Sequence, residues 1–450
     1  VQLPMFNEKF VVDRLLESVA ALDYPQDKLE IQILDDSTDD TTEQCYRKVE
    51  ELKSRGFDAV CIHRTDRTGF KAGALEAATK VAKGEFLLIL DADFVPEPDL
   101  LQKTIHFFTD ENVGLVQTRW GHINREYNLL TRIQGMYLDG HFAMEQTARN
   151  RSGRFFTFNG TAGIWRKCVI GDAGGWSHDT LTEDMDLSYR VQLRGWRFIY
   201  LNDVVTPAEL PVDMDGFKSQ QHRWTKGSIQ VCQKILLDIW RSNAPLKAKV
   251  EATTHLTCNY SYLLLALLCF LVYPICTQRI PENETVFMWF VNVALFFMTS
   301  VAVCIFYMSA QIVVRPKSWW KELPYLPLLL TLSVGMAVNN AKAVLEAIFG
   351  HQSAFVRTPK YGVDRKEDRR HVSQLKRNGY RAIKSVVIPV LEIACGTFFL
   401  NLIIIMIRQG HYLSPILMIP FLGFYYTGFC SLGRMISNLL PAKQTAKAKN

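Results

Sequence analysis

Several long apolar runs in the second half of the chain limit what it can fold into more than any other feature of the sequence. Four of them are long enough for a helix that crosses a membrane, which needs about 20 consecutive, mostly apolar residues. They extend over Leu256–Cys276, Val286–Ala310, Val386–Ile407 and Leu413 to about Cys430. We therefore expect a multi-pass integral membrane protein that crosses a lipid bilayer within residues 251–450 and carries a large water-facing half before them.

The charges that flank these runs predict how the chain is oriented. Basic segments at 241–249, 315–321, 357–384 and 434–449 alternate with short, nearly uncharged loops at 277–285 and 408–412. Since Lys and Arg concentrate on the cytosolic side of membrane proteins, we expect the water-facing half and the C-terminus to be cytosolic. This topology requires that 323–349, an apolar segment broken by prolines and polar residues, does not cross a net odd number of times. We expect that segment to be interfacial or re-entrant.

Composition argues against some other classes of protein. The formal net charge is +6, and its Lys and Arg cluster beside the apolar runs, which favours the positive-inside pattern over a nucleic-acid-binding surface. The ten cysteines are scattered without a C-x-x-C pair, so they indicate neither a zinc site nor a disulfide framework and fit a reduced compartment. Because the chain opens inside a predicted strand without an initiator Met, we expect it to be a fragment that lacks an upstream membrane helix.

The N-terminal half alternates strand patterns with helix patterns. Strands are predicted at 1–5, 29–34, 59–63 and 85–90, and helices at 10–22, 41–54 and 71–82. This order is typical of a parallel sheet covered by helices, in which ligands bind beyond the carboxyl ends of the strands. Acidic residues follow two of these strands, at Asp35 and Asp36 and at Asp91 and Asp93. The sequence therefore places a ligand site at this edge of the sheet.

Further elements are predicted beyond residue 110. They are a strand at 114–120, a helix at 129–148, a short strand at 198–201 and a helix at 215–241. The last helix has an apolar face that includes Val231, Ile235 and Ile239, which suits a helix lying on the membrane surface. Packing of this face against the soluble core is the alternative.

Asp91 and Asp93 are candidate metal ligands. Two carboxylates at i and i+2 after an apolar strand can face one direction and hold a hard divalent cation that keeps positions open for phosphate oxygens. A turn with two solvated acids is the alternative, and the position after a strand favours the metal. No dinucleotide-binding or P-loop glycine motif is present. Lys71, at a short turn, either brings a cation to a bound nucleotide or simply opens a helix.

Two later stretches carry groups suited to transfer chemistry. The run FFTFNGTAG at 155–163 suits a loop that approaches a ligand closely, with Asn159 as a hydrogen-bonding group, or else a tight buried turn. Residues 180–224 place Glu183 and Asp184 ahead of a cluster of Gln220, Arg223 and Trp224. A carboxylate can take a proton from a hydroxyl, Arg can bind phosphate and an indole can carry a sugar ring. Dipole stabilisation of a helix and a surface cation–π pair are the alternatives.

These motifs together resemble a known family. Asp35-Asp36, Asp91-Ala92-Asp93, Thr182-Glu183-Asp184 and 220–224 (QQHRW) match the D, DxD, TED and QxxRW set of the family 2 glycosyltransferases that make β-linked polysaccharides in membranes. The residues in and around these motifs are most similar to those of the cellulose-synthase-like A and C type enzymes and their bacterial relatives. The resemblance implies an α/β fold: a GT-A-type, Rossmann-like catalytic domain fused to a C-terminal α-helical transmembrane bundle with interfacial helices.

The resemblance also implies roles for individual residues. They are contact with the donor nucleotide by Asp36, binding of the diphosphate by Asp91, Gln220 and Arg223, binding of a divalent cation, Mg²⁺ or Mn²⁺, by Asp93, general-base catalysis by Asp184 and stacking of the acceptor sugar on Trp224. From the residues themselves we add Lys71 to the donor-binding group, Asp91 to the metal ligands, Glu183 to the catalytic group and Asn159 to the acceptor-binding group. Residues 355–361 (FVRTPKY) are similar to the FxVTxK gating loop of cellulose synthases, with Arg357 where a Val is usual. There Thr358 and Lys360 would close over the donor diphosphate; a basic linker that holds lipid phosphates is the alternative.

The function expected from these observations is an inverting transfer that polymerises a β-1,4-mannan, a glucomannan or a β-glucan at the cytosolic membrane face. The donor is GDP-mannose or UDP-glucose, and the acceptor is a growing glycan. Coupling of synthesis to secretion, and assembly as a homo-oligomer or with an accessory subunit, stay open. We expect a catalytic domain at 1–214, an interfacial region at 215–250 and a transmembrane region at 251–450. A single-transfer glycolipid synthase and, from another class, a transporter with a nucleotide-sensing domain are the alternatives.

Overall fold

The computed structural model describes residues 1–277, 301–352, 358, 360–363, 386–409 and 415–439. A seven-stranded sheet forms the centre of the N-terminal half, with the strand order β3-β2-β1-β4-β6-β5-β7. The strands are β1 (Gln2–Met5), β2 (Glu30–Asp35), β3 (Asp58–His63), β4 (Phe86–Ile89), β5 (Val113–His122), β6 (Gly163–Arg166) and β7 (Arg197–Ala208).

The helices are numbered in chain order. In the N-terminal half they are α1 (Val12–Ala20), α2 (Thr41–Ser54), α3 (Phe70–Val81), α4 (Leu100–Thr104), α5 (Leu129–Asp139), α6 (Thr147–Arg151), α7 (Lys167–Asp172) and α8 (Glu183–Leu193). Then follow α9 (Met214–Arg241), α10 (Leu246–Thr257), α11 (Tyr260–Thr277), α12 (Val301–Val314), α13 (Leu326–Gly335), α14 (Ala337–Ile348), α15 (Val387–Arg408) and α16 (Pro415–Leu439).

The predicted parallel sheet is confirmed for the first four strands and departs from the prediction beyond them. β1 pairs in parallel with β2 and with β4, and β2 with β3. The strand β6, which the sequence did not predict, lies between β4 and β5 and runs antiparallel to both. It has only four residues, all of them buried, so it shows no alternation that a sequence pattern could reveal. β7 is also longer than predicted, because a register shift after Thr118 lets it continue along β5.

Helices pack on both faces of this sheet and enclose two apolar clusters. On one face α1 buries Val12, Leu15, Leu16 and Val19, which recur at the helical spacing that the sequence showed. The other face is covered by α3, α7 and α8, around Trp165 and Leu187. Because the strands are held from both sides, the residues that follow their carboxyl ends are fixed in position.

The predicted helix at 129–148 contains a π-helical segment, Gly140–Gln146, between α5 and α6. Such segments widen a helix by one residue per turn and are frequent at functional sites. Gly140 lies against α12: a Cβ there would be 2.8 Å from the ring of Tyr307 and 2.9 Å from that of Phe306. The small residue therefore lets the C-terminal half approach this helix closely.

The helix α9 corrects one expectation. Its bounds match the prediction, but its apolar face does not lie against lipid: Val231, Cys232, Ile235 and Ile239 pack with Tyr189 of α8 and with Ala252 and Leu256 of α10. The alternative, packing against protein, is therefore correct for this face. The apolar face of an amphipathic helix can pack against any apolar surface, so the sequence pattern does not distinguish a lipid contact from a protein contact.

Two helical stretches of the described part of the chain are long and apolar enough to cross a membrane, Trp319–Ile348 and Val387–Arg408. A third is reached if α10 and α11, which meet at an angle of 53°, count as one span. The predicted run at 286–310 lies partly outside the described residues. Trp319–Ile348 contains α13, α14 and most of the segment 323–349 that we expected to be interfacial or re-entrant. Its length and composition would allow it to cross, which does not decide between the two, so this expectation stays a prediction. The multi-pass topology and the cytosolic side therefore stay predictions.

The C-terminal helices dock on the N-terminal half through α5 and α9. Apolar side chains of both helices meet Leu326, Leu329 and Leu332 of α13 in one cluster. A buried ion pair joins α9 to α15, with Nζ of Lys218 2.5 Å from the carboxylate of Glu392. Removing one partner of such a pair leaves an uncompensated buried charge, so the contact fixes how α9 is placed.

Candidate active site

All twelve residues that the sequence singled out for chemistry surround one cavity of about 170 Å³. It lies beyond the carboxyl ends of β1, β2 and β4, where ligands of such sheets bind. The twelve are Asp36, Lys71, Asp91, Asp93, Asn159, Glu183, Asp184, Gln220, Arg223, Trp224, Thr358 and Lys360. The structure thus brings residues from distant parts of the chain to one place, while their individual roles stay predictions.

At one end of the cavity, Asp36 is held by an arginine that the sequence did not single out. Arg64 donates from Nε to one carboxylate oxygen at 2.8 Å and from Nη2 to the other at 2.6 Å. Such a two-pronged pair fixes the plane of the carboxylate. Next to it, the guanidinium of Arg67 lies 3.3 Å from the ring centroid of Phe6, and both line the cavity. This end offers flat faces and fixed charges of the kind that hold a nucleobase.

Lys71 connects three elements. Its Nζ donates to Asp91 at 2.5 Å and to the carbonyl oxygen of Gly160 at 2.8 Å, and the N–H of Asp91 donates to Oγ1 of Thr161. Burial acts to lower the pKa of Lys71, but the nearby carboxylates of Asp91, Glu183 and Asp184 outweigh it and raise the pKa. A positively charged side chain therefore lies between α3, the end of β4 and the loop at 155–163.

Asp91 and Asp93 fit the divalent cation that the resemblance implies. Asp93 is 2% exposed and pairs through Oδ2 with Lys360, while its Oδ1 is buried and has no hydrogen-bond partner among the described residues. An orphaned carboxylate oxygen next to a second carboxylate suits a hard cation that takes its other ligands from phosphate and water. In the described parts of the chain no three His, Cys, Asp or Glu side chains converge as a metal cluster. Asp91 and Asp93 are the two carboxylates that would hold the cation.

Asp184 lies in the first turn of α8. Burial, and secondly the charge of Glu183, raise the pKa of Asp184 to about 7, against the opposing effects of Lys71 and Arg223. Gly160 has a φ of +79°, and a Cβ there would lie 3.0 Å from Oδ2 of Asp184, so the loop needs glycine to approach this closely. A carboxylate with a pKa near neutrality is well suited to accept a proton.

The neighbouring Asp186 turns away from the cavity. Its side chain is fully buried and pairs with Arg190 at 2.7 Å and with Lys234 at 2.9 Å. The group of three acids in the sequence thus splits into two that line the cavity and one that ties α8 to its surroundings. Asp186 lies two residues after Asp184 on the helix, so these two side chains point in different directions.

Asn159 is held by two residues of the π-helical segment. Nε2 of Gln146 donates to its Oδ1 at 2.7 Å, and its Nδ2 lies 3.1 Å from Nε2 of His141. On its other side, Nδ1 of His141 is 3.1 Å from the carboxylate of Glu145. The sequence showed none of these partners, because they depend on how the π-helical turn meets the loop.

Gln220, Arg223 and Trp224 lie at i, i+3 and i+4 of α9, so they share the face that lines the cavity. One turn further on, Gly227 allows the TED turn to approach: a Cβ there would lie 2.5 Å from Cγ2 of Thr182. This contact brings the face of α9 next to Asp184.

The segment that resembles the gating loop lies only partly within the described residues, which exclude 353–357 and 359. Thr358 is 4% exposed, and its hydroxyl has no partner in the described part of the chain. Lys360 reaches Asp93, as described above. The cavity wall also contains Glu209, His122 and Trp120, which the sequence did not indicate.

The strand order and the position of the cavity define the class of this fold, a GT-A-like α/β domain. The fold is similar to that of the mannosyltransferase PcManGT from Pyrobaculum calidifontis, solved in complex with GDP-Man and Mn²⁺. The TM-score is 0.52 at 19% sequence identity, covering 78% of this chain and 87% of that one. At this identity the likeness concerns the fold.

Two family models match the sequence, Glycosyltransferase like family 2 over residues 1–227 and Cellulose synthase over residues 163–410. The chain therefore belongs to the family 2 glycosyltransferases of the cellulose synthase type, as the motifs predicted.

Two curated relatives are glucomannan 4-beta-mannosyltransferases. The protein numbered 2 from Arabidopsis thaliana is 44% identical over 247 residues, which is 54% of this chain and 46% of the relative. The protein numbered 1 from Oryza sativa subsp. japonica is 41% identical over 265 residues, 58% of this chain and 50% of the relative. The matched part of the chain thus spans about half the length of these relatives.

Proposed function

We propose that the chain is an inverting hexosyltransferase that extends a β-1,4-linked mannan or glucomannan with mannose from GDP-mannose. The observation that carries the proposal is the position of Asp184, a carboxylate with a pKa near 7, in the same cavity as Lys71, Asp91 and Arg223. A proton acceptor thus lies beside groups that bind a diphosphate. The names of the two curated relatives support the mannan product, and the GDP-Man bound to the structural neighbour supports the donor.

In the proposed reaction, a hydroxyl of the glycan acceptor attacks the anomeric carbon of the donor sugar. Asp184 takes the hydroxyl proton, the new C–O bond forms, and the bond to the diphosphate breaks on the opposite face, which inverts the configuration. The nucleoside diphosphate leaves with the electron pair of that bond. Lys71, Gln220 and Arg223 bind its phosphate oxygens and stabilise the charge that develops on them.

Three further parts of the site support the proposal. Asp91 and Asp93 would hold a divalent cation, which when bound neutralises charge on the diphosphate. Trp224 offers a flat face for the acceptor sugar, and Asn159 offers a hydrogen-bonding amide whose orientation its neighbours fix. The apolar helices would place this reaction at the cytosolic face of a membrane and provide a route for secretion of the polymer.

The test is to incubate membranes that contain the protein with radiolabelled GDP-mannose or UDP-glucose. We expect an insoluble polymer from GDP-mannose that endo-β-1,4-mannanase degrades and a β-glucanase does not. The Asp184→Asn variant, expressed to the same level, is the control for activities native to the membranes. A sole product that is an organic-extractable monoglycosyl lipid would overturn the proposal in favour of a glycolipid synthase. Substrate flux without any sugar transfer would favour the transporter.

A further inference from the structure

A buried carboxylate that the proposed mechanism does not use lies at the rim of the cavity. Glu209 directly follows β7, is 5% exposed and lines the cavity wall. Three consecutive backbone N–H groups donate to it: Tyr361 to Oε1 at 3.0 Å, Gly362 to Oε2 at 3.0 Å and Val363 to Oε2 at 3.2 Å. Arg14 adds a contact at 3.4 Å. One side chain therefore binds a segment that follows it by about 150 residues.

The geometry is that of an anion-binding nest. Successive N–H groups converge on an anion when one residue of the run takes a left-handed conformation, and Gly362 has a φ of +67°. A Cβ on Gly362 would lie 2.8 Å from the carbonyl oxygen of Phe10, so glycine is needed for both reasons. Hydrogen bonds to an ionised carboxylate are stronger than those between neutral groups. The 361–363 backbone and Glu209 are thus complementary in charge and in shape.

The contacts around the nest are equally specific. Tyr361 is 1% exposed and packs in an apolar cluster with Tyr127, Val212 and Val363. Its hydroxyl donates to Asp213, the residue that caps the start of α9. The nest is therefore joined on one side to the helix that carries Gln220, Arg223 and Trp224.

The residues just before the nest point into the site. Lys360 pairs with the predicted metal ligand Asp93, and Thr358 is buried in the cavity wall. Since the first N–H that Glu209 binds belongs to the peptide bond between Lys360 and Tyr361, the position of the lysine depends on that carboxylate. We propose that Glu209 is a positioning residue that holds Lys360 and Thr358 at the donor end of the cavity. The inference rests on the proposed function for its kinetic consequence, but not for the contact itself.

Two variants test the proposal, Glu209→Gln and Gly362→Ala. Replacing one carboxylate oxygen by an NH₂ group places a donor against backbone donors, and the added methyl group collides with Phe10. The two changes act on opposite sides of one contact. Glu43→Gln, at an exposed carboxylate on α2, is the matched control.

The first readout is limited trypsin digestion of membranes without substrate, followed by mass spectrometry of the peptide Tyr361–Arg365. We expect both variants to release this peptide about tenfold faster than the wild type and Glu43→Gln, because local opening at the nest becomes easier. Cleavage after the exposed Lys53 serves as the internal reference. Equal release from wild type and both variants would overturn the proposal. This readout needs no activity, so it stands even if the proposed function fails.

The second readout separates positioning from a merely structural role. We expect a rise of about tenfold in KM for the donor, with KM for an oligosaccharide acceptor changed less than about twofold, because Lys360 lies at the donor end. A fall in kcat alone, or an equal rise in both KM values, would overturn the positioning role. If Glu209→Gln fails to fold, Gly362→Ala carries both readouts.

Discussion

Nζ of Lys71 lies 2.5 Å from Oδ1 of Asp91 and lowers the pKa of Asp184 from a short distance away. One cation therefore acts on both halves of the proposed reaction, the diphosphate end and the base. Burial and Glu183 push the pKa of Asp184 up, and Lys71 and Arg223 hold it at about 7. Replacing Lys71 by an uncharged residue should therefore raise the pKa of Asp184.

The pH dependence of activity should report this relationship. A base with a pKa of about 7 is protonated below that pH, so kcat/KM should fall about tenfold for each pH unit on the acidic side. Lys71→Met removes a charge that favours the carboxylate, so the acidic limb should move to higher pH. Initial rates between pH 5 and 9 would measure it. An acidic limb that stays in place in Lys71→Met would contradict the coupling.

The same pKa shift has a consequence for stability. The folded protein binds a proton at Asp184 more tightly than the unfolded chain does. The contribution of this group to the free energy of unfolding should therefore decrease as the pH rises from about 4 to 7. Asp184→Asn should remove that part of the pH dependence. Thermal unfolding of the two proteins across this range would test the sign.

Asp184→Asn should also separate binding from chemistry. The amide keeps the shape of the side chain but cannot accept the proton, so we expect turnover to fall about 100-fold or more while affinity for GDP stays within about twofold. Single-turnover rates and equilibrium GDP binding are the two measurements. Near-native turnover in this variant would mean that Asp184 is not the base.

Asp93→Ala should weaken metal-dependent binding of the nucleoside diphosphate, because the orphaned Oδ1 is removed together with the partner of Lys360. Calorimetric titration of GDP with and without Mn²⁺ or Mg²⁺ is the measurement, and excess EDTA should reproduce the effect in the wild type. Glu43→Gln, at an exposed carboxylate on α2, is the comparison. Full activity in EDTA would leave Asp91 and Asp93 without a metal role.

Trp224→Ala should impair use of the acceptor more than binding of the donor. Stacking on a flat ring is worth about 1–3 kcal/mol, so KM for a manno-oligosaccharide should rise by about tenfold or more. Donor affinity in the same variant is the internal control. Equal losses in both would instead make Trp224 an anchor between α9 and the catalytic core, which it also contacts.

Thr358→Ala combined with Lys360→Ala should shorten the polymer. Both side chains line the donor end, so their loss should slow each transfer and let chains dissociate earlier. Product length by gel filtration is the measurement, and protease protection of the membrane-embedded part verifies that insertion is unchanged. Polymer of wild-type length and amount would leave this segment as a linker.

Local sequence was sufficient to predict several helix and strand bounds and the placement of the acidic motifs. The bounds of α2 and α9 and of the first four strands follow from the periodicity of apolar residues within a few turns, and the acidic pairs after β2 and β4 were placed correctly at the strand ends. The i, i+3, i+4 spacing of QxxRW gave one face of a helix in the same way. These features depend on hydrogen bonds and side-chain directions within about ten residues, which the sequence shows directly.

The tertiary structure alone decided which surfaces and charges meet. The apolar face of α9 packs on α8 and α10 and not on lipid, Arg64 binds Asp36, the π-helical turn orients Asn159, and Glu209 binds the backbone at 361–363. Each choice is made between partners of nearly equal chemistry that lie tens to hundreds of residues apart. An apolar stripe fits any apolar surface, and a carboxylate can pair with any nearby cation. The sequence therefore determined which groups need a partner, and only the packing of the whole chain determined which partner each of them has.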